Sequence, residues 1–422
     1  MIRRSALFAS ALLLGTALAS SAAWADDIHL TWLATTGQSP HSNSPTAKAW
    51  FTNQLAAWEK AHPGVTIDIS YQAQDINAAM TRLQEQTAAG RAPDFASLDS
   101  FFLSRFYDKL QPLDSFYSKD DIDDFVPFAS AGMHDPQGHL KALWVNTDVR
   151  ALFYRTDVVK TPPKTWDEML ATGADLKKQG LTPYVFPGGR QEAATMEHLP
   201  MFWAMGGKLV DDNGKAVFGE GDNRAAWVKI LTFLKTLVDN GVSPTRVSDI
   251  GSENDEYPEI MRGQTAMFLG GSWMPNQLKA LGDKHEWGIA PIPMNGAVGP
   301  STAAGGWTFG VFTPDPAKQK LAVDFINFIA AGKDGMAGAV TAESNLPTRK
   351  SVAALDTPYL NQPSVKTFSS MIAYGQARPG AAIYPTISTE LQVAISSTVT
   401  GQKTPEQAID DAWARVQQQS GK

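Results

Sequence analysis

Strand-like and helix-like patterns alternate at the start of this chain, and that alternation is the strongest constraint on its fold. Apolar and polar side chains alternate over Ile28 to Leu33 and again over Val65 to Tyr71, as they do in half-buried strands. Apolar residues recur at helical spacing after Thr46, and a second helix is predicted near Asn77 to Ala89, before the apolar run of Phe95 to Leu98. Strands that alternate with helices predict α/β layers with parallel sheets.

The N-terminal segment predicts export. Arg3-Arg4 precedes an apolar run from Ala6 to Ala19, and Ala23-Trp24-Ala25 offers a small-residue cleavage site, so residues 1–25 have the pattern of a secretory signal peptide. The apolar run is shorter than the roughly 20 residues that span a bilayer. Cysteine is absent, which excludes a lipid-modified N-terminal cysteine. We therefore expect a periplasmic protein, cleaved after about Ala25, that keeps no membrane anchor.

Length and charge narrow the organisation and the partners. The 397 residues that follow position 25 are too many for one compact core, which predicts two lobes. They include 34 basic and 43 acidic side chains, a net charge of −9, which argues against nucleic acid as a partner. No low-complexity linker separates two halves, so we expect the chain to cross between the lobes more than once.

Motifs for catalysis and cofactor binding are missing from the sequence. The seven histidines show no H-E-x-x-H spacing, and no phosphate-binding glycine-rich loop occurs. Ser272 follows Gly270-Gly271 but lacks the second glycine of the G-x-S-x-G nucleophile elbow. We therefore predict neither a cofactor nor a metal. The paired carboxylates of glycoside hydrolysis can come from distant strands, so a secreted glycoside-active enzyme stays open as an alternative.

Glycine next to tryptophan is the most informative local theme. It occurs at Trp273, after Gly271-Ser272, and at Trp307, after Gly305-Gly306. An indole beside residues without bulky side chains can lie open in a cleft, where its flat face meets the C–H face of a sugar ring. Burying about 100 Å² of apolar surface on each indole contributes on the order of 2.5 kcal/mol. The opposing interpretation is that both tryptophans are core residues.

Two carboxylates are predicted at the ends of strands. Asp99 follows the apolar run of Phe95 to Leu98, and Asp148 precedes the strand-like segment Ala151 to Tyr154. Clefts of α/β sheets form at strand ends, and carboxylates accept hydrogen bonds from sugar hydroxyls there. The opposing interpretation for each is a surface acid or a helix cap.

A series of short segments extends over nearly the whole chain after residue 25. The segments are Ala61-His62-Pro63-Gly64-Val65, Ala92-Pro93-Asp94-Phe95, Gln111-Pro112-Leu113-Asp114, Thr147-Asp148-Val149-Arg150-Ala151-Leu152-Phe153-Tyr154-Arg155, Pro163-Lys164-Thr165-Trp166-Asp167-Glu168, Gly263-Gln264-Thr265-Ala266-Met267, Gly271-Ser272-Trp273, Gly305-Gly306-Trp307, Leu346-Pro347-Thr348-Arg349 and Thr400-Gly401-Gln402-Lys403-Thr404-Pro405-Glu406-Gln407-Ala408. In order and spacing this series resembles the carbohydrate-specific extracellular solute-binding proteins of bacterial ABC importers, the family of maltose-binding and trehalose/maltose-binding proteins.

The resemblance implies a fold and a function. The fold is the two-lobe α/β fold of periplasmic binding proteins, with a ligand cleft between the lobes and a hinge of several crossing segments. The function is capture of a mono- or oligosaccharide or a polyol by hinge closure, followed by delivery to the transmembrane subunits of an ABC permease. The family likeness also implies a monomer that is not an enzyme.

The resemblance also divides the chain between the lobes. It assigns residues 26–147 and 292–346 to an N-terminal lobe. Residues 148–291 and 347–422 are assigned to a C-terminal lobe.

Eight positions match ligand-binding positions of the family. By likeness, Asp148 is the acid at the first crossing that bonds sugar hydroxyls, Trp273 is the stacking indole of the second lobe, and Trp307 follows Gly306 as in the trehalose/maltose branch. The predicted ligand-binding residues are Gln38, Asp99, Asp148, Glu192, Trp273, Gly306, Trp307 and Arg378.

One departure from the family bears on the ligand. Thr389 and Glu390 stand where maltose-binding protein has a further stacking aromatic residue. Fewer aromatic platforms favour a mono- or disaccharide or a polyol over a long maltodextrin. A sugar phosphate or a sulfonated sugar in the same fold stays open as an alternative, because Arg378 and Arg349 could bind an anion.

Overall fold

Two mixed β-sheets with helices packed against them form the part of the chain that the computed structural model describes, residues 27–73, 76–296 and 298–420. The predicted signal peptide, residues 1–25, lies outside the described residues. Among the residues that are described, no helix has both the length and the apolar character needed to cross a membrane.

The strands, in chain order, are β1 (Ile28–Ala34), β2 (Val65–Tyr71), β3 (Phe95–Asp99), β4 (Ala142–Trp144), β5 (Asp148–Arg155), β6 (Thr182–Val185), β7 (Thr265–Gly271), β8 (Trp287–Ala290), β9 (Thr302–Gly305), β10 (Trp307–Val311) and β11 (Gly375–Ala377). The α-helices are α1 (Pro45–Ala61), α2 (Ile76–Ala88), α3 (Lys119–Asp123), α4 (Pro127–Gly132), α5 (Trp166–Lys178), α6 (Glu192–Met196), α7 (Leu199–Ala204), α8 (Gly221–Asp239), α9 (Glu253–Met261), α10 (Met274–Ala280), α11 (Pro316–Ile326), α12 (Lys333–Glu343), α13 (Lys350–Ala353), α14 (Pro363–Met371), α15 (Tyr384–Val399) and α16 (Pro405–Ser420). Short 3-10 segments cover Thr36–Gln38, Ser100–Arg105, Asp114–Phe116, Thr245–Asp249 and Ile372–Tyr374, and a π-helical turn covers Asn327–Ala331.

The first sheet has the strand order β2-β1-β3-β10-β4. β1 is parallel to β2 and β3, as the alternating pattern predicts, whereas β10 is antiparallel to β3 and β4. An aromatic cluster packs against β1: the ring centroid of Trp32 lies 5.8 Å from that of Phe95 and 5.7 Å from that of Phe325. This packing anchors β3 and β10, at whose adjoining ends Trp307 is the register partner of Asp99.

The second sheet has the strand order β11-β9-β5-β7-β6, and β8 pairs with β5 beside this path. β5 is antiparallel to β7, β8 and β9, while β6 is parallel to β7 and β11 to β9. Stacking of Phe153 on Phe268, with ring centroids 4.7 Å apart, fills the core of this sheet. The prediction of parallel sheets is therefore wrong for this sheet, because all three strands that pair with the central strand β5 are antiparallel to it.

Crossing segments that lie side by side link the two sheets. β4 leads into β5 through Thr147, β9 leads into β10 through Gly306, and the chain passes Leu346 between α12, which packs on α1, and α14, which packs on β5. Thr147 exchanges two backbone hydrogen bonds with Leu346, of 2.8 and 2.9 Å, and its hydroxyl donates to the carbonyl of Gly305 at 2.8 Å. Side-chain and backbone hydrogen bonds therefore join the crossings to one another.

Gly306 occupies the crossing between β9 and β10 because no other residue fits there. Its φ of +140° is unfavourable for residues with a Cβ atom. A Cβ atom at this position would lie 2.1 Å from the backbone oxygen of Asn146 and 2.7 Å from the indole nitrogen of Trp144. The crossing therefore depends on glycine both for its conformation and for its close approach to the neighbouring segment.

The sheets correct the predicted lobe boundaries. Residues 292–346 were assigned to the N-terminal lobe, but β9 pairs with β5 and β11 of the second sheet, and Met294 pairs with Thr165. After β5 to β9 of the second sheet, the chain returns to the first sheet at Trp307. Only Gly306 separates β9 from β10. Because no loop-like stretch of sequence marks this crossing between the sheets, sequence patterns do not reveal it.

Candidate ligand-binding site

A cleft of about 1020 Å³ lies between the two sheets, where β3 and β10 of the first end beside β5 and β9 of the second. All eight residues that the sequence predicts as ligand-binding line this cleft: Gln38, Asp99, Asp148, Glu192, Trp273, Gly306, Trp307 and Arg378. The structure therefore brings the predicted residues together from both sheets.

Both predicted indoles lie at the cleft rather than in a core. Trp273 and Trp307 are half-buried, so part of each ring system is accessible. Trp273 precedes α10 and lies against the end of β7, where a Cβ atom on Gly271 would come within 2.0 Å of its ring. The glycine beside this tryptophan therefore makes room for the indole, as the sequence analysis proposes. A hydrogen bond positions Trp307: its backbone N–H donates to the side-chain oxygen of Asn146 at 3.0 Å.

Arg378 connects carboxylates from both sheets. It follows β11 of the second sheet, and its guanidinium donates to Glu192 at 3.0 Å and to Asp99, at the end of β3 in the first sheet, at 3.4 Å. The guanidinium also lies 4.1 Å from the ring centroid of Phe101. Burial lowers the pKa of Arg378, but Asp99 and Glu192 outweigh this effect and raise the pKa above its usual value. Arg378 is therefore a fixed cation at the cleft floor.

Both carboxylate oxygens of Glu192 accept hydrogen bonds from other side chains of the protein. Besides Arg378, its carboxylate accepts hydrogen bonds from the hydroxyls of Tyr384 and Ser388, each at 2.6 Å. Gln392 in turn donates to Ser388 at 3.0 Å. These partners come from α15, so this helix holds Glu192 at the first residue of α6. Glu192 lines the cleft, but its oxygens already accept hydrogen bonds from the protein.

A second arginine at the cleft, Arg150, was not selected by sequence analysis. Arg150 shares a face of β5 with Asp148 and forms an ion pair with it; its guanidinium also donates to Glu253 at 3.0 Å and lies 3.8 Å from buried Glu197. The same guanidinium lies 4.6 Å from the ring centroid of Trp273. The period of two along β5 was the signal that could have found Arg150 from Asp148.

A third polar cluster, missed by sequence analysis, centres on Glu343 at the end of α12. Its carboxylate accepts from the side-chain amides of Gln38 at 3.1 Å and Asn345 at 3.0 Å, and also from that of Asn146. Because Asn146 also accepts from Trp307, this cluster connects the crossing segments to the cleft surface. No local motif marks Glu343, since its partner Gln38 is 305 residues away in sequence.

Burial perturbs two of the cleft acids. It raises the pKa of Asp99 to about 6, against the opposing effects of Arg378 and of the Phe101 backbone N–H. Burial likewise raises the pKa of Glu343 to about 7, although the amides of Gln38, Asn345 and Asn146 oppose the shift. Both carboxyl groups therefore titrate close to neutral pH.

The residues considered for nucleophilic catalysis, metal binding and anion binding do not form such sites in the described structure. The Ser272 hydroxyl has no hydrogen-bond partner in the described part of the chain, so no base activates it there. Among the described residues no group of histidine and acidic side chains could hold a metal ion. Arg349, considered above as an anion partner, is buried outside the cleft, where it donates to the backbone oxygen of Ala331 and to Asp124.

Comparison with known proteins agrees with this arrangement. The family described as bacterial extracellular solute-binding protein matches residues 53–367, which is most of the chain. This chain belongs to the bacterial extracellular solute-binding proteins. The predicted family and the predicted solute-binding function are thereby confirmed, and the family is one of binding proteins.

Individual members of this solute-binding family are distant in sequence. A binding protein of Brucella abortus (strain 2308) is 24% identical over 378 residues, which cover 87% of this chain and 89% of the relative. Maltose-bound MalE3 of T. maritima superimposes with a TM-score of 0.78 at 22% identity, covering 92% of this chain and 99% of the other. The cyclic α-maltosyl-1,6-maltose binding protein of Arthrobacter globiformis gives a TM-score of 0.75 at 24% identity, covering 92% and 98%. These superpositions confirm the two-lobe α/β fold.

Proposed function

We propose that this solute-binding protein captures a small sugar or polyol in the cleft between its lobes and delivers it to an ABC permease. The observation that carries the proposal is the placement of Trp273 and Trp307 at one cleft together with carboxylates from both sheets. Indoles match the apolar face of a sugar ring, and carboxylate oxygens accept hydrogen bonds from its hydroxyls. The proteins of T. maritima and A. globiformis, whose names state maltose and a maltose oligosaccharide, support the same ligand class.

Hinge closure is the proposed mechanism. A ligand that contacts Asp99 and Trp307 on the first lobe and Asp148 and Trp273 on the second stabilises the conformation in which all four are close. Because such a ligand binds the closed conformation more tightly than the open one, it increases the fraction of molecules that are closed. The hydrogen-bonded crossings at Thr147 and Gly306 are the segments about which we expect the lobes to rotate.

A ligand screen tests this function. Thermal unfolding of the mature protein is measured with neutral monosaccharides, disaccharides and polyols, and with amino acids as a different class of cargo. A ligand that binds only the folded protein raises its Tm by mass action, and calorimetry then gives the affinity. We expect at least one sugar or polyol to raise the Tm and small-angle scattering to show a more compact particle with it. A Tm unchanged by every sugar and polyol contradicts the proposal.

Turnover distinguishes the enzyme alternative. The protein is incubated with oligosaccharides, and the products are separated by chromatography. We expect the oligosaccharides to be recovered intact. A steady appearance of shortened products identifies a glycoside-active enzyme instead.

A further inference from the structure

The side chains that line the cleft carry an excess of negative charge. The carboxyl groups at its surface belong to Asp99, Asp148, Glu192, Glu253 and Glu343. The positive charges are the guanidinium groups of Arg150 and Arg378, and no lysine is among the described residues that line the cleft. Charges in such a cleft are partly shielded from water, so they interact more strongly than they would in bulk solvent.

Both guanidinium groups are already occupied by carboxylates of the protein. Arg378 bonds to Asp99 and Glu192, and its side chain is 6% exposed. Arg150 pairs with Asp148 and Glu253, and its side chain is 8% exposed. An anionic ligand would have to displace one of these pairs and leave a half-buried carboxylate without its cation, which is strongly unfavourable. Neither arginine is therefore available as an anion site.

Among the charged side chains at the cleft surface, the unfilled hydrogen-bonding capacity lies on carboxylate oxygens, whereas the unpartnered Nε atoms of Arg150 and Arg378 are buried. One carboxylate oxygen of each of Asp99, Asp148 and Glu253 receives no hydrogen bond from the described residues, since the bonds to these residues all end on the other oxygen. The side-chain oxygen of Gln38 is buried without a partner, and this residue is 3% exposed. Ionised carboxylates accept hydrogen bonds and never donate them. A ligand that contacts these carboxylates should therefore supply donors and no further negative charge.

We infer that the cleft selects sugars bearing a protonated amino group over their neutral counterparts, and neutral sugars over acidic ones. The inference rests on the proposed function and names the chemical class of sugar. A protonated amine donates hydrogen bonds to the free carboxylate oxygens and also offsets their excess charge. A uronic acid or sugar phosphate places a further negative charge beside Asp99, Asp148 and Glu253.

Two cleft acids should exchange protons when a charged sugar binds. Burial raises the pKa of Asp99 to about 6 and that of Glu343 to about 7. A bound cation lowers both pKa values, so binding of an amino sugar near neutral pH releases protons, whereas an acidic sugar causes proton uptake. Calorimetry in buffers of different ionisation enthalpy measures this proton exchange.

Matched sets of sugars test the inference. Glucose, galactose and mannose are each compared with their 2-amino derivative and their uronic acid by calorimetry, and maltose and cellobiose are treated in the same way. We expect the amino sugar of the set that binds to have the lowest Kd and the uronic acid to bind at least about tenfold more weakly than the neutral sugar. A uronic acid that binds as tightly as the neutral sugar, or an amino sugar that gains nothing, overturns the inference while the proposed function stands. Absence of binding by every member of every set, together with a Tm unchanged by every sugar and polyol of the screen, contradicts the proposed function itself.

A pair of variants on one helix tests whether the cleft charge is the cause. Glu253→Gln removes a carboxylate from the cleft, whereas Glu259→Gln removes one from the same helix α9 outside it, where Glu259 pairs with Arg246 and Arg262. We expect Glu253→Gln to narrow the affinity ratio between amino and acidic sugars by about tenfold, and Glu259→Gln to leave it unchanged. Equal effects of the two variants would show that overall protein charge, and not the cleft, sets the preference, which overturns the inference.

Discussion

The guanidinium of Arg378 lies 3.4 Å from the carboxylate of Asp99; Arg378 follows β11 of the second sheet, and Asp99 ends β3 of the first. The ion pair therefore links the lobes at the floor of the cleft. Asp99 and Glu192 share this one cation, while Phe101 covers its face. The contact joins the two predicted halves of the binding site.

Removal of this cation should destabilise the protein. Arg378→Met leaves Asp99 and Glu192 half-buried without a counter-charge, so we expect the free energy of unfolding at neutral pH to fall by about 3–5 kcal/mol. Denaturant unfolding followed by circular dichroism measures the loss. The double variant Arg378→Met/Asp99→Asn should recover part of it, because one of the uncompensated charges is gone. A double variant no more stable than Arg378→Met would show that Asp99 is not the residue that needs the cation.

Glu343 should give stability an unusual pH dependence. Its pKa in the folded protein is raised to about 7, above the usual value near 4.5, so ionisation in the folded state is penalised. The contribution of Glu343 to the free energy of unfolding therefore falls as pH rises from about 4.5 to 7, and Glu343→Gln lacks this contribution. Relative to the wild type, the variant should gain on the order of 2 kcal/mol across this interval.

Urea unfolding at several pH values measures this difference. Glu259→Gln is the control, because the partners Arg246 and Arg262 lower the pKa of Glu259. Ionisation of Glu259 is nearly complete in both states above about pH 6, so its contribution stays constant there. A difference between Glu343→Gln and wild type that does not change with pH would contradict the raised pKa of Glu343.

Trp273 should contribute to ligand affinity without being needed for folding. Trp273→Ala removes the indole from a half-buried position at the cleft, and the lost apolar contact should weaken sugar binding by about 2.5 kcal/mol, or roughly 70-fold. Calorimetry with the sugar found in the screen gives the change in Kd. Trp413→Ala on α16 is the matched control, because Trp413 is also half-buried but packs beside Phe218 outside the cleft. Unchanged affinity in Trp273→Ala removes this residue from the site.

Gly306 should tolerate no side chain. Gly306→Ala places a Cβ atom 2.1 Å from the backbone oxygen of Asn146 at a φ of +140°, so we expect a loss of at least about 2 kcal/mol in unfolding free energy. Thermal and denaturant unfolding measure it. Gly299→Ala is the control, since nothing lies within 4 Å of the Cβ atom there. Equal stability of the two variants would show that the crossing can shift to accept alanine.

Part of the binding site could be predicted because its residues lie at strand ends. Asp99 ends β3 and Asp148 begins β5, and both lie where the two sheets adjoin. Trp273 and Trp307 were distinguishable from core tryptophans by their glycine neighbours, and the structure gives each of them a half-buried place at the cleft. Whether these residues bind ligand remains a prediction that the variants above test.

The sequence by itself determined the alternation of strands and helices at the start of the chain, the α/β class and the family, because hydrophobic periodicity and short motifs are local properties. The tertiary structure alone decided the crossing at Gly306, the mixed second sheet and the long-range partners of the cleft carboxylates. Glu343 meets Gln38 across 305 residues, and Arg378 meets Asp99 across 279. Local sequence contains no information on such partners, so the charge balance of the cleft emerges only when packing brings distant segments together.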